Sequence, residues 1–113
     1  MSVDAIAVAA RALDGLQMRQ AALDYNLANV NSPKFQMIEV NFERALRAAA
    51  GQGTQAVAAL EFGFTAGRVF ASGEDRREDL MLVDAAQNAM RYSALSDMTG
   101  RRFAILEAAI GGR

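Results

Sequence analysis

Leu23-Asp24-Tyr25-Asn26-Leu27-Ala28-Asn29-Val30-Asn31-Ser32-Pro33-Lys34-Phe35 is the stretch on which the reading of the chain turns. It closes a long helical pattern and holds the only proline. Upstream, Ile6, Ala9, Leu13, Leu16, Gln20, Leu23, Leu27 and Val30 step by alternating threes and fours. That spacing is an a/d seam, so residues 3–31 are expected to form one helix lying lengthwise on another. Asp4 suits the first turn of such a helix, and Gly15 weakens it by about 1 kcal/mol relative to alanine. Pro33 lacks a backbone N–H and drives Ser32 out of the α region, which ends the helix. Asn29 and Asn31 suit a left-handed C-cap, and their amides can satisfy orphan carbonyls. An ordinary bundle helix with a polar cap accounts for all of this except Asn26, since asparagine gains little inside a helix.

Beyond the proline the period changes. Gln36, Ile38, Val40 and Phe42 alternate with Met37, Glu39 and Asn41, which predicts a short extended piece. Asn41 is then expected to cap a short helix ending near residue 50, with Glu43 and Arg47 paired at i,i+4 and Phe42 and Leu46 on one face. Gly51, Gly53, Gly63, Gly67 and Gly73 crowd residues 51–75, which read as a glycine-rich loop with short extended pieces. Phe62, Phe64, Val69 and Phe70 are expected to form one apolar patch there, in a hairpin or a partner-facing loop. Gly51-x-Gly53 is no phosphate loop, because no Gly-Lys-Ser/Thr follows a strand. Asp75 and Glu78 resemble a capping box, so a last helix is expected over 76–110, stopped by Gly111 and Gly112. It carries two apolar stripes. One runs through Val83, Ala86, Met90, Ala94, Met98 and Ile105; the other through Tyr92, Leu95, Phe103, Leu106 and Ile110. Two adjacent stripes make a face wider than one partner helix covers, which argues for contacts with the first helix and with neighbouring chains. The fold class expected is mainly α: long N- and C-terminal helices in contact, with a short helix and a glycine-rich middle, in one domain of 113 residues.

Composition narrows the function. The hydrophobic fraction is 52%, but alanine supplies much of it and buries little surface. The net charge is −1, with no block of Lys and Arg, so a nucleic-acid partner is not expected. Cysteine and histidine are both absent, which removes disulfides, thiolate chemistry and the commonest general base and metal ligand. Asp24, Glu39, Glu43, Glu78, Asp79 and Asp84 could in principle form a carboxylate site in a bundle. The Glu-x-x-His pairs of such sites are missing, and these acids read as solvated faces or caps. No enzyme, cofactor, metal or small-molecule substrate is therefore expected. No run reaches the roughly 18 apolar residues of a membrane span, and the acidic start Met1-Ser2-Val3-Asp4 is not a cleavable secretory signal.

Asn26-Leu27-Ala28-Asn29-Val30-Asn31-Ser32-Pro33-Lys34-Phe35 resembles the N-(I/L)-A-N-x-x-(T/S)-P-G-Y signature of bacterial flagellar rod and hook proteins. Lys34 and Phe35 depart from it. Glycine after proline permits a positive φ, so lysine is expected to give a type I turn or a different exit angle. Asn88-Ala89-Met90-Arg91-Tyr92-Ser93-Ala94-Leu95 is similar to the N-x-x-x-Y-x-x-L element of that family's proximal rod subunits, and residues 103–113 to their ending. Residues 74–79 lack the family's V-D-x-x-x-E entry into the last helix. The resemblance implies long N- and C-terminal helices paired as an antiparallel coiled coil, in a structural subunit of the proximal rod, exported without a cleaved signal and placed in the basal body within the periplasm. Its partners would be copies of itself, other rod subunits and the rod-base and export-gate proteins. It implies assembly contacts at Leu23, Asn26, Leu27, Asn29, Pro33, Phe35, Asn88, Tyr92, Leu95, Phe103, Leu106 and Ile110. A Phe-x-x-x-apolar pair, here Phe42 and Leu46, lies in the family's export-gate docking segment; simple packing explains the pair equally well. A helical secreted adaptor or a component of a related export apparatus would share the seams but not both signatures.

Overall fold

The structure is a computed structural model that describes residues 3–111. It is mainly helical. Helix α1 (Val3–Asn29) is followed by strand β1 (Gln36–Glu39), helices α2 (Glu43–Ala50) and α3 (Thr54–Ala59), strand β2 (Thr65–Val69) and helix α4 (Glu78–Ile110). The two strands form one antiparallel sheet, Gln36 opposite Val69 and Glu39 opposite Thr65, with an irregularity between Gln36 and Ile38. The two long helices pack against each other. Asn88 lies beside Leu16 and Arg76 beside Val30, so a step along one helix is a step back along the other. This is the antiparallel helix pair expected from the resemblance. The molecule measures 63 × 25 × 14 Å.

Helix α1 is the centre because it buries two faces. At roughly 100° per residue, Ala9, Leu13, Leu16, Gln20, Leu23, Leu27 and Val30 cluster on one side. All are buried or half-buried, on the side that meets α4. Val8, Arg11, Gly15, Arg19, Ala22 and Asn26 cluster on the adjacent side and meet the middle segment. The core therefore has two parts. One joins Leu16, Ala22, Val40, Phe42, Leu46, Ala49 and Val57. The other, at the corner, joins Val30, Phe35, Phe70 and Met81.

Several local expectations are corrected. Phe42, not Asn41, occupies the N-cap of α2, without a side-chain cap bond. Burial of the Phe42 ring on Gly15 sets that position, and its N–H donates to the Glu43 carboxylate. Glu43 pairs with Arg19 across the fold, in place of the expected i,i+4 pair with Arg47. Residues 51–75 hold a helix and one strand, and β2 pairs with β1 far back in the chain. The expected four-residue patch is split. Phe62 packs on Phe42 at 5.4 Å and Phe70 stacks on Phe35 at 5.5 Å, while Phe64 and Val69 are exposed. Helix α4 begins at Glu78 rather than residue 76, because Arg77 takes a left-handed conformation (φ 47°) with its N–H bonded to Asp75. The proposed capping box is thus an Asx turn before the helix.

Candidate functional site

Asn26 is 1% exposed, on the helix face turned toward β1. Its Nδ2 donates to the Ile38 carbonyl and its Oδ1 accepts from the Ile38 N–H, each at 2.9 Å. The side-chain amide has the donor–acceptor geometry of a peptide, so it pairs with the edge of β1 that β2 leaves free. This is why an asparagine sits inside a helix at that position. Three residues on, Asn29 donates to the Tyr25 carbonyl at 2.8 Å, bonding its side chain back onto the preceding turn.

The corner after α1 is tied from a distance. Arg76, just ahead of α4, donates to the carbonyls of Val30 and Ser32 and lies over the Phe35 ring. A cation at a helix C-terminus is favourable, and here it comes from 46 residues away because α1 has no basic residue in its last turn. The left-handed residue of this corner is Lys34 (φ 55°), and neither Asn29 nor Asn31 has a positive φ. The expected type I turn is therefore overturned. Burial of Phe35 against Phe70, with the Phe70 N–H donating to the Phe35 carbonyl at 3.0 Å, fixes the exit direction and holds Lys34 in the conformation a glycine would take freely. Pro33 is exposed on the outside of the turn.

Asn88 fastens the helix pair at mid-length. It is 2% exposed, and its Nδ2 donates to the Leu16 carbonyl at 2.9 Å and to Gln20 Oε1 at 3.0 Å. Gln20 passes its own Nε2 to Asp24. Asn88 Oδ1 finds no hydrogen-bond partner among the described residues. Around it, Met81, Ala85, Asn88, Tyr92, Leu95 and Thr99 step by fours and threes and face α1. Tyr92 borders a groove of about 310 Å³ with Gln17, Gln20, Ala89 and Ser93. Leu95 is half-buried and packs against the core that contains Leu16, as Val8 and Ala12 do.

A third joint lies on the other face of α1. The Phe42 ring rests where a Cβ on Gly15 would stand, 2.6 Å away. Arg19 sits 4.7 Å above the same ring, bonds the Val40 carbonyl and pairs in two places with Glu43 at 2.6 and 2.7 Å. Arg11 covers Phe62 at 4.5 Å and donates to the carbonyls of Val57 and Leu60. The Arg19 hydrogen bond, opposed by partial desolvation, holds the Glu43 carboxyl down to about 2. Phe42 and Leu46 are both buried here, so a partner can read them only in an unfolded chain. Arg11, Arg19 and Arg76 escaped the sequence reading, and Gly15 and Phe70 entered it only as a helix weakness and a patch residue. The signal for three of them was a glycine flanked four residues either side by arginines on one helix face.

What these joints leave free is the far side of α4. Val83, Met90, Met98 and Ile105 are 50%, 71%, 51% and 61% exposed. Register also sets the described start of α1 near Arg101, so the last turns of α4 extend past it. Phe103 and Ile110 are exposed there and Leu106 is half-buried. Among the described residues, no cluster of three or more acidic, His or Cys side chains could hold a metal, and no helix is long and apolar enough to cross a membrane. No protein-family model matches the chain, and no curated protein is significantly similar to it.

Proposed function

We propose that the chain is a structural subunit of the proximal rod of a bacterial flagellum, polymerising through its terminal helices and catalysing no reaction. The observation that carries the reading is the division of labour between the two family-like stretches and the rest of α4. Asn26 and Asn88 each spend their amides on joints inside the subunit. A full-length apolar stripe on α4 is left for other chains. Lys34 adds support, since it adopts the positive φ that the glycine of the resembling signature would supply.

Shape and surface point the same way. A compact monomer of 12.1 kDa exposes about 6,000 Å²; this chain exposes 7531 Å². The surplus of about 1,500 Å² is roughly two partners' shares of a standard interface. A radius of gyration of 17.5 Å compares with about 13 Å for a globular chain of this length. A subunit touching copies through different surfaces on two sides builds an open helical assembly. In this reading Asn26, Asn29, Pro33 and Phe35 shape the corner that a neighbour would meet. Tyr92 and Leu95 lie along the joint with α1, and Phe103, Leu106 and Ile110 line the end where α4 outruns it. Other rod subunits and the export-gate proteins are the remaining partners.

Basal bodies isolated from the bacterium that encodes the chain should contain it, and its deletion should leave particles without a rod. Motile cells lacking the chain would overturn the reading.

A further inference from the structure

We infer that the outer face of α4 binds the same face of a second copy, antiparallel, about a two-fold axis at Ala94. The face carries Val83, Met90, Ala94, Met98 and Ile105, with the polar Gln87 and Arg101 between them and Ala86 at its edge. Its apolar residues mirror in type about Ala94: a methionine four residues to either side, Met90 and Met98, and a β-branched residue eleven to either side, Val83 and Ile105. At roughly 100° per residue all five lie within about 40° of Ala94, on the side of α4 turned away from α1. An antiparallel copy centred on Ala94 therefore sets Val83 against Ile105 and Met90 against Met98, twice each. The smallest side chain sits at the crossing point, where two helices come closest.

Charge agrees with this partner. Asp84 and Arg102 flank the stripe on one side, ten residues before and eight after Ala94. The two-fold carries Arg102 of one copy to within about two residues' rise of Asp84 of the other, so two symmetric ion pairs close the flank. Gln87 comes opposite Arg101, and no two like charges face each other at the same height. A parallel, in-register copy would instead stack Asp84 on Asp84 and Arg102 on Arg102. The area is also suitable. A standard interface takes about 800 Å² from each partner, close to half of the surplus surface estimated above.

The dimer does not depend on the rod reading. One consequence does rest on it: the dimer and the open assembly share a stripe, so dimerisation holds free subunits back from polymerising. The chain has no cysteine, so a single introduced thiol reports its own neighbour. Ala94→Cys should form a covalent dimer on mild oxidation at least tenfold faster than Gln52→Cys, an exposed position away from α4. Val83→Cys should cross-link to Ile105→Cys in a mixture more readily than either does to itself. Asp84→Arg should weaken the dimer at least tenfold in sedimentation equilibrium, and Asp84→Arg with Arg102→Asp should restore it. An Ala94→Cys chain of normal helicity that cross-links no faster than Gln52→Cys overturns the two-fold. So does cross-linking only between unlike positions in extended ladders, which would leave the rod reading standing.

Discussion

Replacing Gly15 by alanine puts a methyl carbon 2.6 Å from the Phe42 ring. Neither the helix nor a ring buried in the core can move away cheaply, so Gly15→Ala should cost about 1–3 kcal/mol in urea unfolding. The gain in helix propensity that the sequence alone suggests, about 1 kcal/mol, should not be seen. A destabilisation of zero would mean that Phe42 does not pack on α1. Lys34 makes the opposite case. Its left-handed backbone costs about 1–2 kcal/mol relative to glycine, partly offset by the entropy that glycine loses on folding. Lys34→Gly should therefore stabilise the chain by about 0.5–1 kcal/mol, and a loss of stability would contradict the corner geometry. Asn26 both donates to and accepts from Ile38. Asn26→Asp cannot donate to that carbonyl and Asn26→Ala can do neither, so each should cost about 1–3 kcal/mol. Either variant should also raise hydrogen exchange at the Ile38 amide.

At the scale of elements, the long helices were legible in the sequence and the joints between them mostly were not. The α1 seam could be read because it is nearly all apolar, and every member of it is buried or half-buried. The α4 seam toward α1 runs through Asn88, Tyr92 and Thr99, so apolar periodicity caught only its Tyr92 and Leu95, inside the second stripe, and read the outer stripe more fully. The pairing of β1 with β2 joins segments about 30 residues apart, beyond any local pattern. The middle segment is held largely by Arg11 and Arg19, whose partners are backbone carbonyls and ring faces that no sequence spacing reveals. One of these links titrates. The Glu43 carboxyl lies below its ordinary value of 4.5 in the folded chain, at about 2. Its contribution is therefore complete above about pH 4.5 and is lost as pH falls toward 2. More than half of the Glu43 side chain is in solvent, so screening limits the effect to about 1 kcal/mol. The acid-side fall in melting temperature should be shallower in Glu43→Gln, and identical acid limbs would remove the pair from the account.

For the whole molecule, the elongated shape and the surplus surface have one physical consequence. The chain has a built interior around α1 and leaves an apolar stripe on α4 exposed, which the proposed reading assigns to contacts with other chains. The last turns of α4 pack on nothing described, so amides of residues 103–110 should exchange far faster than those around Asn88. Equal protection along the helix would show a partner already in place. The measurement that bears hardest on this picture is light scattering across a concentration series, comparing the natural chain with Met90→Glu/Met98→Glu. The natural chain should associate as concentration rises, and the double variant should stay monomeric with unchanged helicity and melting temperature. A natural chain that remains a monomer at the highest concentration reached would contradict an assembly face on α4.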